Sequence, residues 1–110
     1  MTDRKTSRIC ELNDTFRSTF AGGRVVITAG IDGFPPTEKS AIIAKVRAFD
    51  DFSAKNDPYG EHDFGSFSFG GHVIFWKIDY YGRSFDCGSE DPSDPAQTTR
   101  VMTIMLAEEY

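Results

Sequence analysis

A chain of 110 residues, 39% apolar, 14% aromatic and 26% charged, is long enough for one domain, and residues 1–110 are read as one. The aromatic content excludes a disordered chain, no apolar run is long enough to span a bilayer, and two cysteines make no disulfide framework. Seventeen acidic against twelve basic residues leave a net charge of −5, which argues against direct DNA or RNA binding.

The polar start, Met1–Arg8, has no apolar run behind it, so no signal peptide is expected. Residues 1–7 read as a flexible extension, and the cysteine usage fits a reducing cytoplasm with no membrane contact. Ile9, Leu12, Phe16 and Phe20 recur at spacings of three and four, which predicts an amphipathic helix over 8–20. Thr6 or Ser7 is its expected cap, and Gly22-Gly23 its stop. Arg24–Ala29 is short and β-branched and reads as a strand. Gly30, Gly33 and Pro35-Pro36 then mark a turn. A second helix is expected over about 36–49, with Ile42, Val46 and Phe49 as its stripe and Ile43 beside them.

Residues 50–63 have no periodic pattern and set five carboxylates against Lys55, so they form a long loop. The strongest local signal follows. Phe64–Phe69 and His72–Tyr81 alternate on either side of Gly70-Gly71, a pair suited to a tight hairpin turn. A two-residue turn pairs Phe69 with His72, Phe67 with Ile74 and Gly65 with Trp76, where the glycine leaves room for the indole. Phe67, Phe69, Ile74, Trp76, Ile78 and Tyr80 then share one face, and Trp76 is expected to be buried. Residues 82–97 form a second loop with Asp86, Glu90, Asp91 and Asp94. A brief helical turn at 95–97 and a strand over 98–106 complete the chain. The fold class is α+β: an antiparallel sheet of about four strands with two helices packed on one face. A crossover to a parallel neighbour is the less favoured topology.

The densest polar cluster is Asp57-Pro-Tyr-Gly-Glu-His-Asp63. Asp57, Glu61, His62 and Asp63 are types that ligate metals or do acid–base work, and on an extended chain Glu61 and Asp63 would lie opposite His62. No metal-binding spacing fits them. The structural reading is that Asp57 bonds nearby backbone and Tyr59 plugs the core. Cys10, His62, His72 and Cys87 are the only soft ligands and lack a paired spacing, so a zinc site would need them to converge by folding alone. No catalytic residue, no cofactor and no copurifying metal are therefore expected. Cysteine nucleophilicity would need His62 or His72 as base, and nothing local requires either. The Gly30–Gly33 segment lacks the Lys-Ser/Thr of a phosphate loop.

Leu12-Asn-Asp, Gly22-Gly-Arg-Val-Val26, Ala44–Asp50, Asn56–Gly65, Phe75–Tyr81 and Thr98–Val101 through Met105–Tyr110 resemble blocks of the proteobacterial domain-of-unknown-function family 3768, over about residues 12–110. The resemblance implies a cytoplasmic protein associated with plasmids and other mobile elements, with no established enzyme activity to carry over.

Charge is uneven along the chain: residues 1–47 balance at +3 and residues 48–110 at −8. The expected function is a small acidic, non-enzymatic binding protein, an inhibitor of a host nucleic-acid-targeting defence complex of anti-CRISPR or anti-restriction type. Its expected contact residues are Asp50, Asp51, Glu61, Glu90, Asp91 and Asp94, and its expected partner is a protein with a basic surface. The alternative is a small metal-dependent or acid–base enzyme using Asp57, Tyr59, Glu61, His62 and Asp63.

Overall fold

The computed structural model describes residues 4–85 and 87–110. Met1–Asp3 of the expected extension and Asp86 of the second loop lie outside the described residues. The elements run α1 (Arg4–Thr19), β1 (Gly23–Ile27), α2 (Ala29–Asp32), α3 (Pro36–Arg47), β2 (Phe64–Phe69), β3 (His72–Tyr81) and β4 (Thr99–Leu106), ending in a 3-10 turn (Ala107–Glu109).

Helix α1 starts four residues before the expected start at Arg8, so Arg4–Ser7 are helical and Thr6 and Ser7 are not caps. It ends at Phe20, which takes the left-handed conformation (φ 62°) expected of the glycines that follow. The Phe20 N–H still closes on the Phe16 carbonyl at 2.7 Å, and its ring packs under the Arg47 guanidinium. The segment expected to be a plain turn after β1 winds into the short helix α2, which buries Ile31.

The sheet is mixed, in the order β1-β4-β3-β2. β2, β3 and β4 are antiparallel neighbours, as the hairpin and the strand periodicity implied. β1 pairs in parallel with β4, which corrects the purely antiparallel expectation. The physical reason lies in burial. β4 supplies Met102 and Ile104 to the centre of the core, and its free edge is covered by β1, whose Val25 and Ile27 continue the same apolar face. The helical layer contains three helices rather than two: Phe16 of α1, Ile31 of α2, and Ile42 and Val46 of α3 all pack on Ile74, Trp76, Ile78, Met102 and Ile104.

The hairpin register is the expected one. Gly65 opposes Trp76, Phe67 opposes Ile74 and Phe69 opposes His72, with Gly70 and Gly71 at φ 56° and 83°. A Cβ on Gly65 would collide with the indole of Trp76 and the ring of Phe49, so the small residue is required by the large one.

Among the described residues, no helix lies across the other face of the sheet. By alternation it carries Phe64, Val73, Phe75, Lys77, Asp79 and Tyr81 from the hairpin, Val101, Thr103 and Met105 from β4, and Arg24 and Val26 from β1. It is covered in part: Met105 is buried, Tyr110 packs edge-on against Phe75, and Phe85 lies by Tyr81 and under Arg24.

Glu109 fastens the chain's end to its first third. Its carboxylate accepts hydrogen bonds from the Thr28 hydroxyl at 2.6 Å, the Leu106 N–H at 2.8 Å and the Gly30 N–H at 3.0 Å. These donors, the Thr28 hydroxyl foremost, hold the carboxyl below its usual value of 4.5. A depressed folded-state pKa contributes stability that is complete above the unfolded value and disappears as pH falls through the folded one. Glu109→Gln is therefore expected to lower the urea midpoint at pH 7, and the two proteins should converge in acid. A constant difference between them at all pH values would contradict this role.

Candidate functional site

The two acidic loops reach the same end of the sheet, because β2 begins, β3 ends and β4 begins there. The N-terminal half of α1 lies between them. Thr6 approaches Gly60 of the first loop, and Lys5 reaches Asp91 of the second at 3.7 Å. Two polar networks tie this junction together, and both start from α1.

The first centres on Asn13, which is fully buried. Its amide donates to the Glu61 carbonyl at 2.9 Å and to the Tyr80 hydroxyl at 2.7 Å, and its carbonyl accepts from Arg100 Nε at 2.7 Å. The Tyr80 hydroxyl donates onward to the Glu61 carboxylate at 2.8 Å. Arg100 also donates to the Pro92 carbonyl and sits over the Tyr80 ring. Four distant segments are joined through one amide. Burial lowers the Arg100 pKa from its usual value and, with Glu61 as acceptor, raises that of the Tyr80 phenol.

The second network gathers around His62, whose backbone is left-handed (φ 55°). The chain there is not extended, which corrects the expected separation of Glu61 and Asp63 from His62. The turn is held by Asp57, whose carboxylate accepts the His62 N–H at 3.2 Å, as its expected structural role requires. The His62 ring stacks flat on Phe52, 3.7 Å between centroids. Nδ1 faces Asp14 at 2.9 and 3.2 Å, and Nε2 faces Asp57 at 3.4 Å. Arg17 donates to Asp14 Oδ1 at 3.0 Å, and the Cys10 thiol points at Asp14 Oδ2 at 3.7 Å. Burial first, and Asp14 second, push the Cys10 thiol up to about 11, so it is a poor nucleophile in this state. Cys10, Asp14 and His62 bring their donor atoms within 4.8 Å of one another, the arrangement of a group able to hold a metal ion.

Tyr59 does not plug the core; it is 80% exposed. The place assigned to it is taken by Phe52, which packs against Phe49 and Trp76 beneath His62. Cys87 is exposed and His72 packs edge-on against Phe34, so neither joins Cys10 and His62. Asn13, Asp14, Arg17 and Arg100 were not among the expected site residues. The spacing of Cys10 and Asp14, four residues apart on one helix face, is the signal that could have found that pair.

The profile of a family described as a protein of unknown function (DUF3768) matches residues 27–109. The chain belongs to this family. The DUF3768 match supplies Asp57, His62, Tyr80 and Arg100, whereas Cys10, Asn13, Asp14 and Arg17 come from α1, ahead of it. No curated protein and no solved structure matches the chain.

The acidic residues of this DUF3768 protein divide by what they do. Asp50, Asp51 and Glu90 are exposed. Glu61 is engaged by Tyr80. Asp91 accepts from the Ser93 backbone and hydroxyl, and Asp94 accepts from the Ala96 N–H at 2.9 Å and the Gln97 amide at 2.8 Å. The last pair forms the capped turn anticipated at 95–97. Asp50 and Asp51 line a shallow depression with Lys45, Phe49 and Ser66 at the β2 edge. A separate cleft of about 840 Å³ opens between α1 and the starts of β1 and β4, with Arg8, Arg83 and Arg100 in its lining. Asp63 has its carboxyl raised by burial and by Glu61. No helix of the described residues is long and apolar enough to cross a membrane.

Proposed function

We propose that this DUF3768 protein is a non-enzymatic binding protein that occupies a basic surface of a protein partner. The observation that carries the reading is the helix-free face of the sheet. Of the five large hydrophobic residues with high exposure among the described residues, four (Val26, Val73, Phe85 and Tyr110) lie on or around that face. A grouping of exposed apolar side chains on one face is a mark of an interaction surface. Charge chooses the partner: the chain carries −5 overall and −8 from residue 48 onward, and Asp50, Asp51 and Glu90 stand free on the surface. Apolar contact provides affinity in this reading, and the carboxylates steer encounter. The nucleic-acid groove of a host defence nuclease, of CRISPR or restriction type, is such a basic surface, and the mobile-element association implied by the family resemblance points the same way. The Asp57–Asp63 loop then serves as a structural tie, working in the cytoplasm with the rest of the chain.

The test is association with purified nucleic-acid-free defence nucleases, followed across ionic strengths. Reversing Asp50, Asp51 and Glu90 to Lys is expected to slow association at least about tenfold at low salt, with folding nearly unchanged. Asp91 and Asp94 are left alone because their turn bonds would confound the result. Val73→Glu on the open face is expected to speed dissociation. Absence of binding to any such nuclease, or rates untouched by both sets of changes, would sink the proposal.

A further inference from the structure

We propose that Cys10, Asp14 and His62 form a binding site for a divalent metal ion of the zinc class, with three protein ligands and a fourth position open to solvent. The ligand atoms are Cys10 Sγ, Asp14 Oδ2 and His62 Nδ1. Two of the three separations are given by the contacts above: Oδ2 lies 3.7 Å from Sγ and 3.2 Å from Nδ1. A tetrahedral ion with bonds of about 2.0–2.3 Å sets its ligand atoms about 3.3–3.6 Å apart. Two of the three edges are therefore already close to those of a coordination tetrahedron, and the third, from Sγ to Nδ1, is within 4.8 Å, so a closure of the thiol toward the imidazole admits the ion.

Each ligand also has the support that metal ligands require. Arg17 bonds Asp14 Oδ1, which leaves Oδ2 as the ligating oxygen. Asp57 stands 3.4 Å from Nε2, on the far side of the imidazole from the cluster. A carboxylate receiving the second ring N–H fixes the tautomer that presents the other nitrogen to the metal. The flat stack on Phe52 and the left-handed backbone of His62 hold the ring at that angle. Cys10 and Asp14 are four residues apart on α1, so their side chains rise from the same face. Charge balances as well: one thiolate and two carboxylates, with the Arg17 guanidinium, leave two negative charges for a divalent cation. Binding displaces the thiol proton to solvent, while the neutral imidazole keeps its one ring proton on Nε2 and offers the Nδ1 lone pair to the ion. The mixed sulfur, nitrogen and oxygen donor set favours zinc or cobalt over calcium or magnesium, which take oxygen ligands. The site joins the acidic loop to α1, so a bound ion locks that junction.

The experiment uses the full chain, stripped with chelator and titrated with Co²⁺ alone. The expected result is one cobalt per chain, the visible absorption of a tetrahedral ion, and a thiolate-to-cobalt charge-transfer band that zinc abolishes by displacement. Cys10→Ser removes the charge-transfer band, and Cys87→Ser leaves it intact. Asp57→Asn keeps the band but weakens binding about 10–100-fold. His62→Ala is read alongside near-ultraviolet circular dichroism of Trp76; if that variant does not fold, the two serine variants and Asp57→Asn decide the matter. A pale octahedral spectrum, a band that survives Cys10→Ser, or a band lost with Cys87→Ser overturns the site.

Discussion

Trp76→Ala is expected to destabilise the protein by about 3–5 kcal/mol, enough to remove much of the stability of a chain this size. The indole is fully buried on β3, with Phe49 5.4 Å away edge-on, Phe52 at 6.2 Å and the Arg17 guanidinium 5.2 Å from its ring. Gly65 lies directly across from it in the hairpin and cannot fill the void. The loss is not one of packing alone, because Arg17 is itself buried and uses the ring as a counter-surface. The indole Nε1 has no hydrogen-bond partner. Trp76→Phe therefore removes a stranded donor as well as volume, and its cost should be distinctly smaller, about 1–2 kcal/mol. Urea unfolding followed by far-ultraviolet circular dichroism measures both, since the chain's only tryptophan is lost in each. Equal costs for the two substitutions would show that the aromatic ring is not the wedge described here.

Asn13→Ala is expected to cost about 2–4 kcal/mol although it deletes only a small polar group. The amide satisfies three separate groups, the Glu61 carbonyl, the Tyr80 hydroxyl and Arg100 Nε, all at 2.7–2.9 Å. Its removal leaves a buried guanidinium short of an acceptor in surroundings that already disfavour its charge. Tyr80→Phe breaks one branch of the same network and should cost about 1–2 kcal/mol. The double substitution should cost less than the two single costs added together, because the variants share a lost bond. Strict additivity in equilibrium unfolding would argue that Asn13 and Tyr80 do not act through one another.

These two residues mark where sequence reading succeeds and where it stops. Trp76 was legible: alternation on both sides of Gly70-Gly71 fixes the register, and register fixes which side chains meet. Asn13 was not. A helix face is found from its apolar residues, and α1 buries Asn13 and Arg17 beside Ile9 and Phe16. The partners of Asn13 are Glu61, Tyr80 and Arg100, all distant in the chain, so no local pattern announces it. The parallel pairing of β1 escaped for the same reason, since its neighbour is the last strand. His62 stood out as the only histidine in an acidic loop, but the atoms it faces on α1 are 48 residues away. Tyr59 was misjudged because aromatic residues usually pack; here Phe52 reaches the same wall of the core first.

The place of β4 in the sheet has a consequence for synthesis. It comes after the other three strands in chain order, yet it stands between β1 and β3 and hydrogen-bonds to both. While the chain is emerging, β1 has no strand to join, and the hairpin has one side open. Helices α1 and α3 can form early, but Phe16, Ile42 and Val46 have only part of their floor until Met102 and Ile104 arrive. Such dependence on distant pairings slows folding and leaves apolar strand edges bare meanwhile. The sheet therefore closes only when residues 99–106 slot into the gap between β1 and β3 and Glu109 latches onto Thr28. A chain cut short before residue 99 would thus carry every other strand and helix with no assembled core, a ready target for proteolysis.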